Sequence, residues 1–218
     1  MKKEGIVEEA CVCKEDTHFT VMKTSVFFAG DGFTAFDSKG ELIFRVDNYD
    51  GGDSCEMVLM DRAGRCILTV RRKRPSLHQR WEGFVGEGRE DKALFSVRRS
   101  SMIARPTGMT VDVYSDPGEE YLIEGSFACR TCTVLNAERQ VVAEIRRKVD
   151  IYANLVLSKD VFLLSVKRGF DSAFAMGLIL ILDQIHWVGF DFESDGVDGA
   201  DPIQKSTFLP QIPRSFSL

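Results

Sequence analysis

Up to about residue 167 the apolar positions fall in short runs, many alternating with polar ones, with turn residues between them and little 3.6-residue periodicity. That is the pattern of strands joined by hairpins. Three segments repeat it without gaps: FDSKGELIFRV (36–46), MDRAGRCILTV (60–70) and LNAERQVVAEI (135–145). Each reads as a strand end, an Asp or Asn, a turn, and a strand closing on Val or Ile. Gly40 and Gly64 stand where such a turn commonly needs a positive φ, whereas Arg139 holds that place in the third copy and leaves its turn less well specified. The spacing of the copies is irregular, so this is a recurring hairpin and not a solenoid. Further strands are predicted at Phe19–Phe28, Ala93–Arg98, Met109–Tyr114, Tyr121–Phe127 and Asp160–Val166.

The pattern changes at RGFDSAFAMGLILILDQI (168–185), where nothing between Ser172 and Leu182 is charged and Asp171 and Asp183 close the run. Those residues make roughly 17 Å of helix, and a hydrocarbon core of about 30 Å needs roughly 20 residues. A short helix that is apolar all round belongs inside protein. A long antiparallel meander ending in one such helix predicts a mainly β (α+β) fold, a large closed antiparallel β-barrel. Closure hides the strand edges, and the helix at about 171–185 fills the interior. Its core residues are Phe174, Met176, Leu178, Ile179, Leu180, Ile181 and Leu182, with Asp171 as N-cap. Gly177 costs about 1 kcal/mol relative to Ala unless a strand packs closely there. Residues 1–18 read as a flexible leader, and 188–218, acidic and rich in Gly and Pro, as a mobile tail.

Composition narrows the function. With 218 residues, 44% hydrophobic and 28% charged, the chain has an ordinary globular makeup, and a net charge of −5 gives no overall reason to expect nucleic acid. No apolar h-region follows Lys2 and Lys3, so a reducing cytosolic or nuclear compartment is expected, with peripheral membrane contact open to it. The six cysteines lack a disulfide-scaffold spacing. Cys129 and Cys132 have CxxC spacing but lie in a strand-like run, and Cys11-x-Cys13 is the only second pair for zinc. Cys11 and Cys13 are also the candidates for acylation. The acidic stretches 47–56 and 191–196 miss the ligand register of a calcium-binding loop. Gly30-Asp-Gly32 lacks the third glycine and the helix of a dinucleotide loop, and His18, His78 and His186 stand in no catalytic motif. No cofactor, metal or catalytic residue is therefore expected.

Basic residues are the best local lead. Arg71, Arg72, Lys73 and Arg74 follow one strand, with Arg80 nearby, and similar endings recur as Arg98-Arg99, Arg146-Arg147-Lys148 and Lys167-Arg168. If Val70, Val97, Ile145 and Val166 point inward, alternation turns Arg71, Arg98, Arg146 and Lys167 outward and leaves the others near the barrel rims. Such a set suits anionic lipid headgroups, because guanidinium pairs bidentately with phosphate and each basic residue near an anionic surface adds about 1 kcal/mol. The plain alternative is solvated strand ends that discourage edge pairing. Arg71–Arg74 also forms a short basic run of nuclear-import type.

FFAGDGFTAFDSKGELIFRVDNY (27–49), VLMDRAGRCILTVRRKRPSLHQRWEGFVGE (58–87), EGSFACRTCTVLN (124–136) and VKRGFDSAFAMGLILILDQI (166–185) resemble, in order, the plant LURP-one-related proteins. The resemblance runs from about residue 19 to 187 and implies a tubby-like fold, a twelve-stranded barrel around a central C-terminal helix, shared with tubby proteins and phospholipid scramblases. It departs from the family in the long tail after Trp187 and in Lys167-Arg168, where a proline is expected. The resemblance associates the chain with plant defence and brings no catalytic residues with it. The expected function is a monomeric, non-enzymatic membrane-surface or adaptor module, with anionic phospholipid headgroups or a signalling protein as partner. The alternatives are a membrane-tethered transcription regulator and a scramblase-like membrane protein.

Overall fold

The three repeated segments build one kind of hairpin. The N–H of Asp37 donates to the Glu41 carbonyl at 3.0 Å, the Gly40 N–H donates to the Asp37 carbonyl at 3.1 Å, and the Asp37 carboxylate accepts from the N–H groups of Lys39 and Glu41, both at 2.9 Å. Asp61 makes the same bonds with Arg65, Gly64 and Ala63. In the third copy the Asn136 side-chain oxygen accepts from Gln140 N–H at 2.8 Å, and Arg139 N–H donates to the Asn136 carbonyl at 2.9 Å. Gly40, Gly64 and Arg139 share a left-handed backbone, with φ of 80°, 84° and 64°. The Arg139 turn therefore forms as the others do, at a cost of about 1–2 kcal/mol for a non-glycine residue. Strand register shifts just before each turn, between Ala35 and Phe36, Leu59 and Met60, and Val134 and Leu135. Each hairpin thus carries a β-bulge within its strands close to the turn.

The structure, a computed structural model, describes residues 5–24, 32–51, 54–74, 80–88, 92–99, 108–115, 118–150 and 155–193. His78, Gly30 and residues 194–218, which include most of the predicted acidic tail, lie outside the described residues. The strands are β1 (Thr17–Thr24), β2 (Gly32–Phe36), β3 (Leu42–Gly51), β4 (Ser54–Asp61), β5 (Cys66–Arg72), β6 (Trp81–Val85) and β7 (Phe95–Arg99), followed by β8 (Met109–Val113), β9 (Glu120–Ser126), β10 (Thr131–Leu135), β11 (Val141–Arg147), β12 (Val149–Asp150), β13 (Leu155–Val156) and β14 (Val161–Val166). β12 and β13 pair as a small ribbon, and the other twelve strands form a closed antiparallel barrel in the order β1-β14-β11-β10-β9-β8-β7-β6-β5-β4-β3-β2. β1 closes it, pairing with β2 on one side and with β14 from Thr17↔Val166 to Met22↔Val161 on the other.

Alternate strand residues face the interior, among them Val21, Leu68, Val70, Phe95, Val97, Ile145 and Val166. They enclose α1 (Ser172–Glu193), whose Phe174, Met176, Leu178, Ile179, Leu180, Ile181 and Leu182 are all 3% exposed or less. The helix is thus covered on every side by the barrel, as its uniform apolar character requires. Among the described residues no helix is long and apolar enough to cross a membrane. Two glycines set how closely the parts approach. A Cβ at Gly177 would stand 2.4 Å from Leu68 Cδ2, and one at Gly83 would stand 2.3 Å from Phe95 Cε1. Phe95 uses that space to meet Phe174 edge-on, with ring centroids 4.8 Å apart.

Two boundaries differ from the sequence expectation. α1 runs to Glu193 and not to about 185. Asp183, which looked like a terminator, instead receives Lys23 of β1 at 3.0 Å, so its charge is met across the barrel and does not end the helix. Residues 5–16, expected to be a flexible leader, are fastened around the helix start. The Asp171 carboxylate caps α1 through the N–H groups of Ala173 (2.9 Å) and Phe174 (3.1 Å). Its second oxygen accepts from Val7 N–H (2.8 Å) and Glu8 N–H (3.1 Å). Cys13 N–H donates to the Phe170 carbonyl at 3.0 Å, Gly169 N–H to the Cys13 carbonyl at 2.8 Å, and Ser172 Oγ to the Cys11 carbonyl at 2.8 Å. Ile6 and Cys13 are buried. Burial pushes the Asp171 carboxyl above its usual range, against the pull of those four N–H donors.

Candidate functional site

α1 starts at one end of the barrel, the cap end, and leaves through the other, the exit end, where Lys23 near the close of β1 meets Asp183. β5, β7 and β11 all run toward the exit end, as the pairings Arg72↔Trp81↔Val97, Arg99↔Met109 and Arg147↔Phe162 require. Their basic termini therefore gather on one rim. β14 runs the other way. It carries Lys167 and Arg168 to the cap end, where Lys167 Nζ lies 2.5 Å from Asp16 and Arg168 N–H donates to the same carboxylate at 3.0 Å. The four strand endings linked by the sequence reading thus separate into three at the exit end and one opposite.

Strand alternation divides the exit-end cations again. Arg71, Arg98 and Arg146 face outward as predicted, and each has company there. The Arg71 guanidinium lies 3.9 Å from the Phe84 ring centroid, with Glu56 and Glu82 as its cross-strand neighbours. Lys73 pairs with Glu82 at 2.8 Å, Arg98 and Arg80 share Asp112 at 3.2 and 3.4 Å, and Arg146 pairs with Glu144 at 2.6 Å. Exposed pairs of this kind add about 0–1 kcal/mol to stability, but they cancel most of the outward positive charge.

Arg72, Arg99 and Arg147 have the other parity, that of Val70, Val97 and Ile145, and stand at the mouth around the departing helix. Arg72 is half-buried, and Arg99, Arg147 and Arg74 are exposed. None of the four meets a carboxylate among the described residues. Lys23 has the same inward parity as Phe19 and Val21 and is the mouth cation that does, with its Nζ also 5.7 Å from the Phe33 centroid.

A further mouth cation has no signal in the sequence. Arg130 ends the tight turn between β9 and β10 in a left-handed conformation, φ 54°, with its N–H donating to the Phe127 carbonyl at 3.0 Å. Arg130 is buried, its guanidinium lies between Phe127 and Phe162, 4.0 and 4.4 Å from their centroids, and its Nε donates to the Lys159 carbonyl at 2.8 Å. Nη1 has no acceptor among the described residues. Burial lowers the Arg130 pKa, opposed by the fields of Asp183 and Asp160. Only register and turn geometry bring it inward, and neither is written in ACRT.

At the cap end an open cavity of about 570 Å³ is lined by Cys11, Cys13, Ile43, Arg65 and Ser172, among others. Arg65 bridges Glu8 and Asp61 beside it, both at 3.0 Å. Burial pushes the Cys11 thiol up to about 12 and also raises Cys13, so neither is a ready thiolate for acylation. Cys129 is exposed and Cys132 buried, and among the described residues no group of three or more His, Cys, Asp or Glu could hold a metal. Of the acidic stretch 47–56, residues 47–51 and 54–56 pair across β3 and β4.

The LURP-one-related family matches residues 17–183. Protein LURP-one-related 12 of Arabidopsis thaliana is 55% identical over 191 residues, covering 85% of this chain and 86% of its own. Protein LURP-one-related 5 of the same plant is 58% identical over 192 residues, covering 85% and 91%. An X-ray structure of a protein from Arabidopsis thaliana shares the fold with a TM-score of 0.63 at 22% identity, over 84% of this chain and 99% of that one.

Proposed function

The chain belongs to the LURP-one-related family, and from that premise we propose that it is a non-enzymatic docking module of plant defence signalling, which settles on anionic membrane surfaces, phosphoinositide-bearing ones in particular, by its exit end. One observation carries this reading. Three strands bring Arg72, Arg99 and Arg147, with Arg74 beside them, to a single rim with no carboxylate partner among the described residues. Guanidinium groups so arranged offer forked donors to phosphate oxygens, and the aligned ring lets several headgroups be met at once. The outward Arg71, Arg98 and Arg146 contribute less, because each sits beside a carboxylate of its own wall. Lys167 and Arg168 are at the far end and take no part.

The experiment is sedimentation of the purified chain with phosphatidylcholine vesicles, plain or containing phosphoinositide, at low and physiological salt. Binding is expected only with phosphoinositide, weakening with salt. The variant Arg72→Glu, Arg99→Glu, Arg147→Glu should lose it, and Lys167→Glu with Arg168→Glu should not. Equal loss in both variants, or no binding by the parent chain, overturns the proposal.

A further inference from the structure

β9 lacks one inward side chain near the exit end. Ile123 faces the interior, and the next position of that parity is Gly125, with φ 106°, where a Cβ would stand 2.0 Å from the Thr131 carbonyl oxygen. Its cross-strand partner is the small, buried Cys132. Across from them α1 presents Leu182 and Ile185, neighbours on one helix face. Between helix and wall lies a slot of about 160 Å³, lined by Met109, Ile123, Phe127, Cys132, Leu182 and Ile185, among others, with no carboxylate in the lining. It opens at the β9–β10 turn, where Gly125 and Ser126 are exposed.

Two cations flank this slot. Arg99 pairs with Met109, which pairs in turn with Ile123, and residues directly opposite in an antiparallel sheet share a face with Cβ atoms about 4.5–5.5 Å apart. On the other side Arg147 follows Ile145, the partner of Cys132, at the next position of the same parity. Both arginines are exposed. Arg130, stacked on Phe127, adds a third positive charge beside the wall. Asp183, next to Leu182 on the helix, is turned away to Lys23.

We propose that the slot binds a small organic acid, its apolar body held between helix and wall and its carboxylate on Arg99 and Arg147. Size sets the body at about six carbons, aromatic or aliphatic, because an apolar cavity of about 150 Å³ lined by Leu, Ile and Phe binds benzene or xenon. Charge sets the head, because guanidinium groups stay protonated and offer carboxylates a fork of N–H donors. Such a guest holds two of the three guanidinium groups assigned above to phosphate and so competes with docking. That consequence rests on the membrane reading, whereas the slot does not.

The test is an NMR titration of the full chain, with isotope-labelled Ile and Leu methyl groups, against sodium benzoate, sodium hexanoate, benzyl alcohol and sodium acetate. Benzoate and hexanoate are expected to shift the Ile123, Leu182 and Ile185 methyls saturably, and acetate, which has the charge without the body, to leave them in place. Benzyl alcohol should bind about 10-fold more weakly than benzoate, the lower end of the worth of a hydrogen bond to a charged group. Arg99→Gln with Arg147→Gln should bring benzoate down to the level of the alcohol. Cys132→Leu fills the slot and should exclude both guests, and Ala128→Leu, at a half-buried lining position, serves the same end if the first variant does not fold. Unmoved methyls, a filled slot that still binds, or an arginine variant that binds benzoate as the parent does overturns the proposal. Saturating benzoate should also lower binding to phosphoinositide vesicles, and undiminished binding overturns the competition. A chain that binds benzoate but no vesicles keeps the slot and loses the membrane reading; one that binds vesicles with unmoved methyls keeps that reading and loses the slot.

Discussion

Gly177→Ala tests how tightly the helix is held by the wall. In a solvated helix the change is favourable by about 1 kcal/mol, because alanine loses less backbone freedom. Here the added methyl would stand 2.4 Å from Leu68 Cδ2 and 3.5 Å from Phe95 Cζ. Carbon atoms rest at about 3.5–4.0 Å, so more than 1 Å of overlap with Leu68 must be relieved. Leu68 is fully buried on β5 and has little room to turn. Overpacking of this size costs about 1–3 kcal/mol. The net expectation is a loss of about 1 kcal/mol, or about 2–4 °C in melting temperature for a chain of this size. Leu68→Ala alone should cost about 2–5 kcal/mol through its cavity. In that background the clash is gone and Gly177→Ala should stabilise by about 1 kcal/mol or more. The assay is urea unfolding followed by fluorescence of the buried Trp81, applied to both single variants and the double. A Gly177→Ala protein more stable than the parent, with additive effects in the cycle, would refute the close approach of helix and wall.

Replacing Asp171 by Ala removes an N-cap worth about 0.5–2 kcal/mol and orphans the Val7 and Glu8 amides, so a total loss of about 2–4 kcal/mol is expected. Hydrogen exchange at those two amides should quicken far more than in β9 or β10. A structure in which the leader is loose would instead show them fast in the parent already. Among the cysteines with described side chains, the exposed Cys129 should react with a disulfide reagent at pH 8.5 well before Cys11 and Cys132, which burial pushes up to about 12. Simultaneous labelling of all three in the native chain would contradict that burial.

The barrel was legible because its signals are local. An Asp followed three residues on by Gly specifies a turn within five residues, and the apolar run 172–182 states its own burial. The Arg139 turn was less legible because glycine was the expected signal, whereas the Asn136 side chain supplies the missing instruction. Features set by distant pairs escaped. The helix passes 185 because Lys23, 160 residues away, receives Asp183, and the leader is fixed by Asp171 bonds spanning 163 and 164 residues. At the candidate site, alternation correctly turned Arg71, Arg98 and Arg146 outward. That Asp112 lies across from Arg98, and that β14 carries its basic pair to the opposite end, depends on register and strand direction. Arg130 depends on both and on a left-handed turn.

Closure of the barrel by β1 against β14 has a consequence for the chain during its synthesis. β1 (Thr17–Thr24) is made well before its partner Val161–Val166 and the helix that fills the interior. At translation rates of about 5–20 residues per second, the earliest hairpins leave the ribosome roughly 7–30 seconds before the helix that the cylinder closes around. By the time β11 is made, the inward faces of eleven barrel strands have no helix to cover them and two sheet edges are unpaired. A transcript cut short before α1 should therefore yield aggregates instead of a smaller folded domain.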